Sequence, residues 1–135
     1  MKITADTNLL VRAFVGDDPQ QARLAENALE SAELVALATP ALCELVWVLA
    51  RGYRIDASSI AEAIRRLIDS ANVAVDRPAA EAGLALLEAG GDFADGVIAH
   101  EGAWLGGEIF LSFDRAAVDL VGAHGGSAQL LGESR

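Results

Sequence analysis

The stretch that decides the fold is KITADTNLLVRAF, residues 2–14. Lys2 to Ala5 reads as a short strand, whereas between Asn8 and Phe14 the apolar residues Leu9, Leu10, Ala13 and Phe14 have the spacing of a helix with one buried face. Asp6 therefore stands at a strand-to-helix junction. In an open parallel sheet such junctions lie at the carboxyl ends of the strands, where ligands bind. Capping of the following helix by Asp6 or Asn8 explains a single polar residue at this place equally well, so the rest of the chain decides whether the junction does more.

Beyond it, GDDPQQ marks a turn, and Pro19 to Glu30 carries Ala22, Leu24, Ala25, Ala28 and Leu29 at helical spacing. ELVALAT, residues 33–39, reads as a buried strand running into Thr39 and Pro40, the expected N-cap and first residue of a helix that continues to about Arg51. That helix is apolar nearly all round, which predicts burial. After GYRIDASS, Asp56 or Ser58 opens a helix with one stripe formed by Ile60, Ile64, Leu67 and Ile68. NVAVD is a short strand, Pro78 to about Ala89 a helix, and Phe93 to Leu105 another, each closed by a Gly-Gly pair. EIFLSFD is a strand, Arg115 to Val121 a short helix, and HGGSAQLL a turn into a last strand. Strands alternating with helices, few of them in hairpin pairs, predict a three-layer α/β/α sandwich around a mostly parallel sheet. The length of 135 residues suits a single domain, 1–135, with no internal repeat or linker.

Hydrophobic residues make up 53% of the chain and charged ones 22%, which excludes a disordered polypeptide. The lone Cys43 excludes an internal disulfide, and two histidines, His100 and His124, do not make a zinc cluster. No cationic leader opens the chain, and the uncharged run from Leu34 to Cys43 is about half of what a membrane span needs; the expected location is the cytoplasm, with no membrane partner. The net charge of −10 argues against a nucleic-acid partner, because phosphates are repelled by a negative surface. That objection weakens if carboxylates converge on a divalent cation, which inverts the local field.

Four carboxylates stand in unusual places. Glu44 is the single charge between Glu33 and Arg51, on an otherwise apolar helix, where an unpaired carboxylate costs several kcal/mol unless it is compensated or reaches solvent. Asp92 and Asp95 lie three residues apart at a helix start, with Asp92 as the expected N-cap and Asp95 turned toward a site. Asp114 repeats the Asp6 arrangement, an apolar strand ending in Asp just before a helix. Clustered carboxylates repel one another unless a counter-ion relieves them. A hard cation such as Mg²⁺, or Mn²⁺ in its place, suits oxygen ligands. The chemistry that matches is phosphodiester hydrolysis by metal-activated water, with no His, Cys or Lys required as base.

ADTNLLVR, LCELVWVL, GGDFADGVIA and LSFDR resemble the four acidic blocks of the PIN-domain ribonucleases, specifically VapC-type toxins of bacterial toxin–antitoxin pairs, in the same order and over essentially the whole chain. The resemblance implies Asp6, Glu44, Asp95 and Asp114 as the catalytic, metal-binding acids, with Thr7, Asn8 and Ser112 as polar supports and Asp92 as a fifth carboxylate. It further implies a Mg²⁺-dependent endoribonuclease, an RNA substrate, a homodimer and a cognate antitoxin whose tail occupies the site. Arg12 and Arg115 are candidates for the RNA backbone, against a reading of each as a solvated or intramolecular charge.

Two other classes compete. A receiver-like phosphoacceptor module also uses strand-end aspartates and Mg²⁺, but it needs a lysine at the phosphoryl group, and the one lysine here, Lys2, is at the wrong end of its strand. A catalytically silent acidic interaction domain would bind a basic partner and hold metal weakly. Trp47 and Trp104 suit either self-association or the core.

Overall fold

The computed structural model describes residues 1–132. In chain order the elements are β1 (Lys2–Thr4), α1 (Thr7–Val15), α2 (Pro19–Ser31), β2 (Leu34–Leu37), α3 (Thr39–Trp47), a π-helical turn (Val48–Gly52), α4 (Ala57–Ile68), β3 (Val73–Val75), α5 (Arg77–Glu88), α6 (Phe93–Trp104), β4 (Phe110–Ser112), α7 (Arg115–Ala123) and β5 (Ala128–Leu130). The alternation expected from the sequence is present throughout. The chain gathers into two compact units, Met1–Arg77 and a second that begins at Pro78.

In the first unit β1, β2 and β3 form a parallel sheet in that order, with Ile3 opposite Val35 and Val35 opposite Val73. Parallel neighbours require crossovers, supplied by α1 and α2 between the first two strands and by α3, the π turn and α4 between the next two. Leu10, Val35, Leu42, Leu45, Leu49, Ile60 and Ile64 are fully buried. The α4 stripe of Ile60, Ile64, Leu67 and Ile68 faces inward as its spacing requires, and Asp56 caps that helix by accepting from the Ser59 N–H at 3.1 Å.

Two expectations for α3 are corrected. Thr39 is already helical and Ala38 is the N-cap residue, with no side-chain cap bond; Pro40 fits the first turn because the N–H it lacks has no intrahelical acceptor there. The helix is also not buried all round. Pro40, Glu44 and Trp47 are all exposed, at the i, i+4 and i+7 spacing of a single helical stripe, and Trp47 is 59% exposed. From Val48 the helix widens into the π turn, whose bond from the Tyr53 N–H to the Val48 carbonyl spans five residues.

In the second unit β4 and β5 pair in parallel, Leu111 opposite Gln129, with α7 as the crossover. Phe93, Ala79, Ala80 and Leu84 are completely buried there, whereas Trp104, a candidate for the core, is 86% exposed. Among the described residues no helix is long and apolar enough to cross a membrane.

Close approach of α5 and α6 sets the packing of the second unit. A Cβ on Gly96 would overlap the Ala82 carbonyl oxygen and stand 2.9 Å from the Gly83 Cα; a Cβ on Gly83 would stand 2.7 Å from the Phe93 ring. That ring has no exposed surface and so no room to turn away. Gly96→Ala and Gly83→Ala are each expected to lower stability in urea denaturation by about 1–3 kcal/mol, the range for overpacking. Gly102→Ala, on the same helix with open space at its Cβ, is expected to be neutral or to stabilise by about 0.5–1 kcal/mol, as the loss of a helical glycine does.

Candidate functional site

In the first unit β1 ends two residues before Asp6, whose extended backbone makes it the N-cap of α1. Its Oδ1 accepts from the Leu9 N–H at 2.9 Å. Capping and a role as ligand are compatible, because a carboxylate has two oxygens and about four lone-pair directions, and Asp6 is exposed. The next residue, Thr7, donates from Oγ1 to Glu44 Oε1 at 2.7 Å across 37 residues of sequence. That bond ties the start of α1 to the second turn of α3, so the structure brings Thr7 and Glu44 together, with Asp6 next to Thr7 in the chain. Glu44 escapes the burial expected of it because it lies on the open stripe of α3; its compensation is solvent and the Thr7 hydroxyl. Asn8 is exposed in the first turn of α1 and lines, with Arg12, a cavity of about 230 Å³.

In the second unit Asp92 caps α6, accepting from the Ala94 N–H at 3.1 Å, and Asp114 caps α7, accepting from the Ala117 N–H at 3.3 Å. Ser112 Oγ accepts from the Asp114 N–H at 3.0 Å, which fixes the end of β4. Asp95 makes no cap; it is half-buried in the first turn of α6. Its carboxyl is pushed above the ordinary value of 3.8, first by burial and then by the negative charges of Asp92 and Asp114. The structure thus couples Asp92, Asp95 and Asp114 electrostatically.

Among the described residues no group of three or more His, Cys, Asp and Glu side chains is gathered to hold a metal ion. The donor set nonetheless has the chemistry of a hard divalent cation. All candidate ligands are carboxylate or hydroxyl oxygens, and Mg²⁺ takes one or two carboxylates while keeping several waters. Negative charge that raises the proton affinity of Asp95 is the charge a cation would neutralise.

Arg12 is paired: its Nη1 lies 3.1 Å from Asp17 Oδ1, and Asp17 Oδ2 accepts from the Tyr53 hydroxyl at 3.3 Å. The intramolecular reading of Arg12 is therefore correct for this contact. Arg115 opens α7 directly after the Asp114 cap and is exposed. Sequence reasoning passed over Asp17 and Tyr53, one in a presumed turn and the other in a presumed break; the signal was an aromatic residue set between arginines in RGYR, residues 51–54. It also did not foresee that His100 and His124 line the same cavity, of about 320 Å³. A cavity of about 540 Å³ in the first unit, lined by Phe14, Leu29, Leu49, Ile60 and Leu67 among others, holds none of the candidate acids.

Residues 3–121 match the PIN domain family. The chain belongs to that family. The matched span contains all four acidic blocks, and the three-layer α/β/α class expected from the sequence is the class of this PIN domain. PIN domains have a nuclease fold and are in general metal-dependent hydrolases. No curated protein matches the chain.

The raised proton affinity of Asp95 has a consequence for stability. From pH 3.8 upward to its folded value, the folded chain holds this proton more often than the unfolded chain does, so stability falls as pH rises through that window and stays lower above it. In metal-free buffer the wild-type melting temperature is expected to drop relative to Asp95→Asn as pH rises through the window, and the gap between the two to be constant below about pH 3. Thermal melts monitored by circular dichroism across pH check both limbs.

Proposed function

We propose that this PIN domain is a Mg²⁺-dependent endoribonuclease, the VapC-type toxin of a toxin–antitoxin pair, that hydrolyses RNA phosphodiester bonds in the cytoplasm. The observation that carries the reading is the arrangement of Asp6 and Asp114: each stands two residues past a parallel strand, caps the next helix with one oxygen and keeps the other oxygen available. Asp6, Asp95 and Asp114 are proposed as metal ligands, with Glu44 as a ligand through water or as the group that orients the attacking water. Asp92 supports Asp95, and Thr7, Asn8 and Ser112 hold the acids in place.

When bound, Mg²⁺, or Mn²⁺ in its place, supplies activation of water and neutralises charge gathering on the phosphate and the leaving oxygen. The chain's own contribution is orientation. Thr7 fixes Glu44 Oε1 and leaves Oε2 to accept a proton or hold a water, while the caps fix the backbone from which the aspartates project. Arg115 is proposed to meet the RNA backbone, and Arg12 to do so with Nη2, since Asp17 holds Nη1 and Nε is buried. Homodimerisation and neutralisation by a cognate antitoxin belong to the same proposal.

Asp6→Ala and Asp95→Ala are expected to abolish cleavage of a labelled tRNA and mRNA panel, a loss of 10²-fold or more, while circular dichroism shows the fold retained; EDTA should do the same to the wild type and added Mg²⁺ restore it. Full activity in either variant refutes the assignment. Activity that persists in EDTA refutes the metal.

A further inference from the structure

We infer that the turn Arg51–Gly52–Tyr53–Arg54, with Arg12 and Asp17 behind it, is a subsite for single-stranded RNA flanking the scissile bond, with Tyr53 as the platform for a base and Arg51 and Arg54 as phosphate contacts. The inference rests on the ribonuclease reading above. Three observations in the first unit carry it.

The first is electrostatic. Arg51 and Arg54 are exposed, and among the described residues neither guanidinium has a carboxylate partner or hydrogen bond. Asp17, tied to the turn through Tyr53, and Glu44 and Asp56, the acids nearest the turn in sequence, hold other partners. Asp17 gives one oxygen to Arg12 and the other to Tyr53, and Asp56 gives both to Ser59, at 3.1 Å to its N–H and 2.8 Å to its hydroxyl. In a chain of net charge −10, two neighbouring unpaired arginines form a local positive site.

The second is the backbone. Arg54 has φ of +56°, in the left-handed region, and is the one non-glycine residue placed there among those described. It lies two residues beyond the π turn, with Tyr53 between. Both features are uncommon, both recur at functional sites, and here they share one segment.

The third is the fixing of Tyr53. Its hydroxyl donates to Asp17, which Arg12 also grips, so the ring is pinned at its tip while 36% of the residue stays exposed. A pinned aromatic flanked by arginines is what unstacked bases use: the ring takes the base and the guanidinium groups the adjacent phosphates. Duplex bases are already stacked and gain nothing from such a platform, so the occupant is a single strand.

The placement along the helices agrees. Arg12 lies six residues beyond Asp6, roughly 9 Å along α1 at about 1.5 Å per residue, and Tyr53 closes the π turn that continues α3 beyond Glu44. Arg51 is exposed within that π turn. A strand engaged at the acids therefore meets the turn with its flanking nucleotides.

The test is binding of a labelled single-stranded RNA oligonucleotide to the full chain, followed by fluorescence anisotropy in EDTA, with steady-state cleavage in Mg²⁺ as the second readout. Tyr53→Ala is expected to weaken binding by about tenfold, within the range of a lost base stack, and Tyr53→Phe, which keeps the ring but loses its tie to Asp17, to weaken it by less. Arg51→Ala combined with Arg54→Gly should lower the slope of log affinity against log salt by about 0.7 for each phosphate contact removed; glycine accepts the left-handed backbone, so this variant keeps its fold. In cleavage the loss should fall on KM with kcat unchanged. If wild type binds and cleaves RNA while these variants match it in affinity, salt slope and KM, the inference is overturned and the ribonuclease reading stands. If wild type does neither, the ribonuclease reading itself fails.

Discussion

Asp6, Asp92 and Asp114 each hold a helix start with one carboxylate oxygen, and that bond determines where the second oxygen stands. Everything proposed for this PIN domain depends on it. A free surface aspartate samples many rotamers and offers a cation or a substrate no fixed geometry. One anchored to the N–H groups of its own helix sits at the positive end of the dipole with its freedom already reduced. At Asp6 and Asp114 the same bonds turn the chain from strand to helix, so the structural role and the proposed catalytic role are one arrangement rather than competitors. Thr7 extends the principle across the first unit by joining the α1 cap to Glu44 on α3.

Charge explains why such an arrangement is not neutral for the fold. Asp95 adds a third acid beside two caps in the second unit, and its carboxyl holds its proton more firmly because burial and both neighbours disfavour ionisation. A stretch selected for stability alone would place an amide there. The net charge of −10 first reads as an argument against nucleic acid. The structure distributes that charge unevenly: acids gather at helix starts, while Arg51 and Arg54 stand without carboxylate partners in a turn of the first unit.

Most of the fold was legible because its signals are local. The Asp56 cap and the stripe on α4, the Gly-Gly stop before Asp92 and the strand-end aspartates all appear where period and punctuation put them. Signals that depend on distant partners were not. Nothing within LCELVWVL says which side of α3 remains uncovered, so the helix read as buried nearly all round, and only the structure shows Glu44 and Trp47 exposed. The π turn requires a choice between helical registers that composition does not encode, and the tie from Tyr53 to Asp17 spans 36 residues. The acids of the candidate site were legible as residues, whereas Thr7 as the donor to Glu44 emerged only from the contact itself.

The central claim is that carboxylates distant in sequence serve one divalent cation. Isothermal titration of the metal-free protein with Mn²⁺ tests it most directly, comparing wild type with Asp95→Asn and Asp114→Asn, the two acids the second unit couples electrostatically. The account predicts saturable binding in the wild type, a large loss of affinity in each single variant, and little further loss when the two are combined, because either one already dismantles the same site. Independent, additive losses, or binding left intact by either substitution, would contradict it.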